Sequence, residues 1–131
     1  MAMTLRALIV DDNPEFLAIA RCLLMREGIA VVGVASSSAE ALRQSEEKDP
    51  DVILVDVDLG EESGFDLAGR LSAATGSRRS VILISAYPEE DLEDLLEVSS
   101  AIGFVSKPEL SAEAIIELLG GGNGVDETPS S

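Results

Sequence analysis

The chain alternates short, largely continuous apolar runs with longer segments in which apolar and polar positions mix at helical spacing. The apolar runs are Leu5–Val10, Ile29–Ala35, Val52–Val55, Val81–Ile84 and Ile102–Val105. Runs of this length predict buried strands. Because they are apolar at nearly every position, rather than at every second one, they favour a parallel sheet covered on both faces.

A helix signal follows each apolar run. The predicted helices begin at Pro14 after the cap Asn13, and then cover about 38–47, 64–75, the segment PEEDLEDLLEV that Pro88 opens, and about 110–119. Alternating strands and helices predict an α/β fold of the flavodoxin-like, doubly wound (βα)5 type, with a five-stranded parallel sheet in the order 2-1-3-4-5. Ligands of such sheets bind beyond the carboxyl ends of the strands, between strands 1 and 3.

Length and composition predict a single domain. The 131 residues are 46% hydrophobic but only 3% aromatic, so the core must consist mainly of Leu, Ile, Val and Ala. The single cysteine, Cys22, cannot form an internal disulfide, which favours a reducing compartment. We expect residues 1–119 to form the domain and the Gly- and Ser-rich stretch 120–131 to be a flexible tail.

The charge and the missing residue types exclude several functions. The net charge of −16 repels phosphate backbones, so we expect no direct nucleic-acid binding. Histidine is absent, which rules out a Ser-His-Asp triad and removes the commonest zinc ligand. The chain shows no signal peptide and no apolar run of membrane-spanning length, so we expect a soluble, cytoplasmic protein without membrane contacts.

Polar side chains follow four of the five predicted strands. They are Asp11 and Asp12 after strand 1, Asp56 and Asp58 after strand 3, Ser85 after strand 4, and Lys107 after strand 5. Parallel strands bring their carboxyl ends to one edge of a sheet, where converging acids would repel one another. A hard cation such as Mg²⁺ relieves that repulsion, because it binds carboxylate oxygens and completes its shell with water and phosphate oxygens.

These residue types predict phosphoryl chemistry at the strand ends. Aspartate can form an aspartyl-phosphate, and Asp56 is the strongest candidate nucleophile in a chain without histidine. Lys107 and Ser85 would donate to an anion beside the metal. Simpler interpretations exist for single residues: Asp11 and Asp12 could merely begin a helix, where acids are favoured, and Lys107 could be an ordinary surface charge.

The segments LIVDDNP, VILVDVDLG, VILISAY and FVSKP resemble the response-regulator receiver domains of two-component signalling, over about residues 5–119. The resemblance implies that a histidine kinase or histidine phosphotransfer protein donates a phosphoryl group to Asp56. It implies Mg²⁺ bound directly by Asp12, Asp56 and the backbone carbonyl of Asp58, with Asp11 acting through a metal-bound water. Such a domain phosphorylates and dephosphorylates itself and is a signalling module rather than an enzyme.

The resemblance also implies a switch. Ser85 would hydrogen-bond the phosphoryl group and Lys107 would pair with it, while Phe104 turns inward on phosphorylation. The face made by helix 4, strand 5 and helix 5 would then change its preference for an unknown downstream protein. The family pattern further implies a cis bond between Lys107 and Pro108. Three positions depart from it: Phe104 stands where tyrosine is common, Gly60 where proline is common, and Ser85 where threonine is commoner.

Two alternative functions remain open on the sequence. The D-x-D motif at Asp56 and Asp58 also suits a phosphatase resembling the haloacid dehalogenases, although its order along the chain differs from theirs. The chain could also be the receiver part of a longer DNA-binding response regulator rather than a stand-alone receiver. The cognate kinase, the pathway, the phosphoryl lifetime and the oligomeric state do not follow from the sequence.

Overall fold

The computed structural model describes residues 4–75 and 80–125. The strands of the main sheet are β1 (Arg6–Val10), β2 (Ala30–Ala35), β3 (Val52–Asp56), β4 (Ser80–Ser85) and β5 (Gly103–Ser106). All neighbouring pairs are parallel, and the order is β2-β1-β3-β4-β5. The doubly wound, five-stranded sheet predicted from the apolar runs is therefore confirmed.

Within the described residues, five α-helices cover the sheet. They are α1 (Pro14–Arg26), α2 (Ser38–Lys48), α3 (Gly64–Thr75), α4 (Glu93–Glu97) and α5 (Ala112–Val125). The predicted starts of α1 and α3 are confirmed. At α1 the side-chain oxygen of Asn13 accepts hydrogen bonds from the backbone N–H groups of Glu15 and Phe16, the pattern expected of an N-cap.

The fourth helix is shorter than its sequence predicts. A 3₁₀ turn, Glu89–Leu92, precedes the five α-helical residues of α4. None of the α4 residues is fully buried, and the neighbouring acids at helical spacing repel one another. Weak packing and like charges together explain why regular α-helix is confined to a little more than one turn.

The last helix is longer than predicted. α5 ends at Val125, whereas the sequence predicts an end near residue 119. Residues 126–131 of the expected tail lie outside the described residues, so its flexibility stays a prediction. Within the described ranges, no helix combines the length and the apolar character needed to cross a bilayer.

The core lies on both faces of the sheet. Alternate strand residues divide between two clusters, so that Ala7 and Ile9 of β1 pack with α1 and α5, while Leu8 and Val10 pack with α2 and α3. β3 is buried along its whole length. A strand buried on both faces has no position for a solvated side chain, which explains its continuous apolar run and makes Asp56 at its end exceptional.

Candidate functional site

Adjacent strands bring three carboxylates together. β1 and β3 are hydrogen-bonded neighbours with Val10 opposite Val55, so the residues that follow each strand emerge side by side. Asp11, Asp12 and Asp56 each offer a carboxylate oxygen, and these oxygens all lie within 4.8 Å of one another. Asp11 is fully buried and Asp56 is 5% exposed, whereas Asp12 faces solvent. The two buried carboxylates need compensating charge.

Lys107 supplies part of that charge. Its ammonium nitrogen lies 2.7 Å from Asp11 Oδ2 and 3.2 Å from Asp56 Oδ2. The amine also lies 4.4 Å from the centroid of the Phe16 ring, close enough for a cation–π interaction. No sequence signal connects Phe16 with a lysine so far along the chain.

The Lys107–Pro108 bond is trans, so the predicted cis isomer is wrong for this structure. Trans is the lower-energy isomer of an X–Pro bond by about 0.5–1 kcal/mol. Lys107–Glu109 forms a 3₁₀ turn, in which the backbone N–H of Leu110 donates to the carbonyl of Lys107 over 3.2 Å. The ammonium group reaches both buried acids with this backbone geometry.

One oxygen of Asp11 is left without a hydrogen bond. Asp11 Oδ1 accepts from the backbone N–H of Asn13 at 2.9 Å. Asp11 Oδ2 is buried and pairs with the Lys107 ammonium by charge, but no described group donates an aligned hydrogen bond to it. A buried carboxylate oxygen facing two further carboxylates is a suitable donor for a hard cation. The all-oxygen donor set therefore fits Mg²⁺.

The environment of Asp56 raises its pKa. Burial is the largest cause, and the negative charge of Asp11 adds to it, so the pKa rises from 3.8 to about 6. The backbone N–H of Asp58, which donates to Asp56 Oδ1 at 3.1 Å, and the Lys107 ammonium limit the rise. Burial also tends to lower the pKa of Lys107, but its interactions with the carboxylates of Asp11 and Asp56 outweigh burial and raise that pKa. Both groups are therefore predominantly ionised at pH 7.

The chain after Asp56 forms a short hairpin. Residues 58–59 pair with residues 62–63 in antiparallel register. Gly60, in the turn, has a φ of +76°, and Asp58 Oδ1 accepts from its backbone N–H at 3.1 Å. A positive φ confined to the first central residue is typical of a type II′ hairpin turn. The exposed side chain of Asp58 thus stabilises the turn rather than joining the three converging carboxylates.

Ser85 and Phe104 lie on the neighbouring strands. Ser85 ends β4 and is buried, and its Oγ accepts from the backbone N–H of Tyr87 at 3.0 Å. Phe104 on β5 is half-buried against the α2–α3 side of the core. It also lines a groove of about 640 Å³ between β5, α5 and the segment before α4, with Pro88 and Leu118 on the other walls.

Comparison with known proteins identifies the fold family. The family model described as "Response regulator receiver domain" matches residues 7–119. The chain belongs to this family. The receiver domain superposes on the signal receiver domain of NarL from Mycobacterium tuberculosis with a TM-score of 0.73 and 28% identity, covering 94% of this chain and 99% of that one. The resemblance and the fold class inferred from the sequence are thus confirmed, and the phosphatase alternative loses its support.

Curated relatives place receiver domains in larger proteins. The transcriptional regulatory protein KdpE of Mycobacterium tuberculosis is 36% identical over 106 residues, which are 81% of this chain and 45% of KdpE. Protein-glutamate methylesterase/protein-glutamine glutaminase 5 of Myxococcus xanthus is 32% identical over 118 residues, which are 88% of this chain and 34% of that protein. The chain spans about half the length, or less, of most of the curated relatives it matches.

Proposed function

We propose that this receiver domain accepts a phosphoryl group on Asp56 and thereby switches a protein-binding surface. The observation that carries the proposal is the convergence of Asp11, Asp12 and Asp56 with the Lys107 ammonium at the ends of β1 and β3. Asp56 is held by hydrogen bonds on both oxygens, from Asp58 N–H and from Lys107. A fixed, ionised carboxylate is suited to act as a nucleophile.

Mg²⁺ is the cofactor that we assign to the carboxylates. Asp12 and Asp56 would bind it directly together with the backbone carbonyl of Asp58, and Asp11 would hold a metal-bound water. When bound, the cation neutralises the carboxylates and the charge that develops on the transferring phosphoryl oxygens. The closeness of the three carboxylates and their all-oxygen donor set support this assignment.

The transfer would move one phosphoryl group from a phosphohistidine to Asp56. An oxygen of Asp56 attacks the phosphorus, a P–O bond forms, and the P–N bond to the donor imidazole breaks. Lys107, already 3.2 Å from Asp56 Oδ2, would then pair with the phosphoryl oxygens, and the hydroxyl group of Ser85 would donate a hydrogen bond to one of them. Attack of water on the acyl phosphate returns Asp56 and inorganic phosphate, which is self-dephosphorylation.

The output surface we propose is the face of α4, β5 and α5. Phe104 belongs both to the core and to the groove on this face, so a change in its position alters the groove directly. Movement of the Ser85 hydroxyl toward the phosphoryl group would start that change. The partner that reads the groove is a downstream protein of unknown identity. In these terms the chain is a signalling domain that modifies itself, not an enzyme acting on a separate substrate.

Histidine kinases and phosphotransfer proteins are the general partners of the family, and one of them is the donor we propose. The net charge of −16 supports the further proposal that this domain does not itself bind nucleic acid. We also propose a cytoplasmic location, in which the exposed thiol of Cys22 would stay reduced. Both a stand-alone receiver and the receiver part of a longer regulator agree with the relatives.

Phosphorylation by acetyl phosphate tests the proposal. With Mg²⁺, intact-mass spectrometry should show the addition of one phosphoryl group to the wild-type protein, because a small donor bypasses the unknown kinase. The Asp56→Asn variant should remain unmodified, and so should the wild type in EDTA. Asp58→Asn is the matched control: it removes one neighbouring negative charge but keeps Asp56, so it should still be modified.

The outcomes separate the proposal from its alternatives. A phosphoryl group that persists in Asp56→Asn would place the acceptor elsewhere and contradict the assignment. No addition to the wild type, either with acetyl phosphate or with a phosphorylated histidine phosphotransfer protein, would overturn the phosphoacceptor function altogether.

A further inference from the structure

The hairpin at residues 58–63 forms one wall of the acidic site. A Cβ atom added to Gly60 at its tip would lie 3.1 Å from Asp12 Oδ2, so the turn sits directly against this exposed carboxylate. The base of the hairpin leads back to Asp56, whose Oδ1 accepts from the first N–H of the hairpin. Where the hairpin sits therefore determines the space beside two of the three converging acids.

A hydrogen bond to an exposed side chain of this hairpin ties it to a different element. Glu62 Oε1 accepts a hydrogen bond of 2.8 Å from the backbone N–H of Ser38, the first residue of α2. Two neighbouring backbone N–H groups have other partners: Ser37 Oγ accepts from Glu40 N–H, and the Glu40 carboxylate accepts from Ser36 N–H, just before the helix. The first N–H of the helix is thus left for Glu62.

The tie joins the exposed end of the hairpin to a firmly packed helix. Leu59 on the first strand of the hairpin is buried in the core, but residues 60–63 are exposed, whereas Ala41 and Ser45 of α2 are buried. A carboxylate at a helix N-terminus is favoured both by the charge-assisted hydrogen bond and by the helix dipole. Because α2 is firmly packed, the hydrogen bond from its Ser38 N–H to Glu62 restrains the position of the hairpin.

We infer that Glu62 is a positioning residue of the acidic site, which acts by holding the hairpin tip against Asp12 and the backbone beside Asp56. The inference rests on the proposed function for what the site does, but the tie itself is a direct contact between Glu62 and the backbone of Ser38. Loss of the hydrogen bond between Glu62 and Ser38 should make the hairpin more mobile. The oxygen atoms that would bind Mg²⁺ would then be held less firmly in place. No residue that carries the tie belongs to the set that would contact the metal or the phosphoryl group.

Amide hydrogen exchange of the metal-free protein tests the tie directly. Glu62→Ala should speed exchange in peptides that cover 57–63 by about tenfold, because the hairpin loses its anchor. Glu62→Gln keeps an Oε1 acceptor and should restore most of the protection. Glu61→Ala is the matched control, since it removes the same charge from the same turn. Equal exchange in Glu61→Ala and Glu62→Ala would overturn the inference.

Titration with Mg²⁺ then tests the positioning role. Calorimetry should show about tenfold weaker Mg²⁺ binding in Glu62→Ala, the lower end of what lost outer-shell partners cost, with recovery in Glu62→Gln. With acetyl phosphate, the Mg²⁺ concentration for half-maximal rate should rise by a similar factor while the rate at saturating Mg²⁺ changes little. Unchanged Mg²⁺ affinity alongside faster exchange would overturn the positioning role.

The two proposals fail in different ways. If the wild type takes up no phosphoryl group, the proposed function is contradicted, yet the exchange comparison of Glu62→Ala with Glu61→Ala still decides whether Glu62 holds the hairpin. If the wild type is phosphorylated normally and the Glu62 variants match it in every measurement, only the role of Glu62 is contradicted.

Discussion

At the scale of single residues, the acidic site brings carboxylates close together, where their negative charges repel one another. Two buried carboxylates, Asp11 and Asp56, share one ammonium group, and a third, Asp12, lies beside them at the surface. Lys107 compensates only part of this charge. The repulsion among the carboxylates that destabilises the site without a metal also favours the binding of a divalent cation.

The raised pKa of Asp56 predicts a pH-dependent effect of Asp56→Asn on stability in the metal-free protein. The pKa is about 6 in the folded state against 3.8 ordinarily, so between these values the folded state binds more protons than the unfolded one. The free energy of unfolding therefore falls as pH rises through this window. An asparagine cannot ionise, so the variant should gain roughly 3–8 °C in Tm at pH 7 and clearly less at pH 4.

Thermal unfolding in EDTA, followed by circular dichroism at pH 4 and pH 7, measures the Tm gain of Asp56→Asn at each pH. Asp58→Asn is the control because it removes an exposed charge two residues away, and its Tm shift should vary little between the two pH values. A gain for Asp56→Asn that is as large at pH 4 as at pH 7 would show that ionisation of Asp56 is not the cause.

At the scale of elements, the junction between β3 and α3 depends on close backbone contact. Gly64 begins α3, and its N–H donates to the carbonyl of Val57 at 2.9 Å. A Cβ atom at Gly64 would overlap the carbonyl oxygen of Asp56 and approach Val57 Cα to 2.7 Å. Both neighbours are backbone atoms, which cannot move aside as a flexible side chain can.

Gly64→Ala should therefore displace the chain that follows Asp56. We expect a loss of about 1–3 kcal/mol in the free energy of unfolding, as for other overpacked sites, and slower phosphorylation by acetyl phosphate. Gly69→Ala within α3 is the matched control: its Cβ would meet nothing closer than Ser100 Oγ at 3.9 Å. That change should stabilise the protein by about 0.5–1 kcal/mol. Urea unfolding of both variants measures the difference, and a harmless Gly64→Ala would contradict the packing argument.

At the scale of the whole molecule, negative charge dominates. Asp and Glu number 25 against 9 Lys and Arg, giving a net charge of −16. The compact state brings these charges closer than the unfolded chain does, so their repulsion opposes folding. Salt at physiological strength screens charges separated by more than about 8 Å, which weakens this repulsion.

We expect Tm to rise with NaCl and, at constant ionic strength, to rise further with Mg²⁺. The NaCl effect should be gradual and common to all variants. The Mg²⁺ effect should saturate at the occupancy of one site, as mass action requires, and should be lost in Asp12→Asn. Differential scanning fluorimetry over a series of NaCl and Mg²⁺ concentrations can separate the effect of NaCl on Tm from the effect of Mg²⁺. A Mg²⁺ increment that survives in Asp12→Asn would indicate general screening instead of a site at the three acids.

Much of the site could be predicted because its placement follows from strand order. Asp11 and Asp56 come directly after apolar runs, and parallel strands must deliver them to one edge. The same logic places Ser85 and Lys107 at that edge. Their assigned roles in metal and phosphoryl binding come from the resemblance to receiver domains and remain predictions.

Other features of the site depend on distant partners that no local pattern reveals. Glu62 bonds to Ser38 across 24 positions, and Lys107 reaches Asp56 across 51. Nothing in the periodicity around Phe16 indicates a lysine above its ring. The short α4 was also unpredictable from its pattern alone, because its apolar residues lack the buried contacts that stabilise a regular helix.

By itself, the sequence determined the alternation of strands and helices, the order of the sheet and the family, because hydrophobic period and motif spacing are properties of neighbouring residues. Only the tertiary structure decided the trans bond before Pro108, the reach of Lys107 to both Asp11 and Asp56, and the hydrogen bond between Glu62 and Ser38. These depend on which groups meet after the chain has folded, and small differences in side-chain packing select among geometries that the linear pattern allows equally.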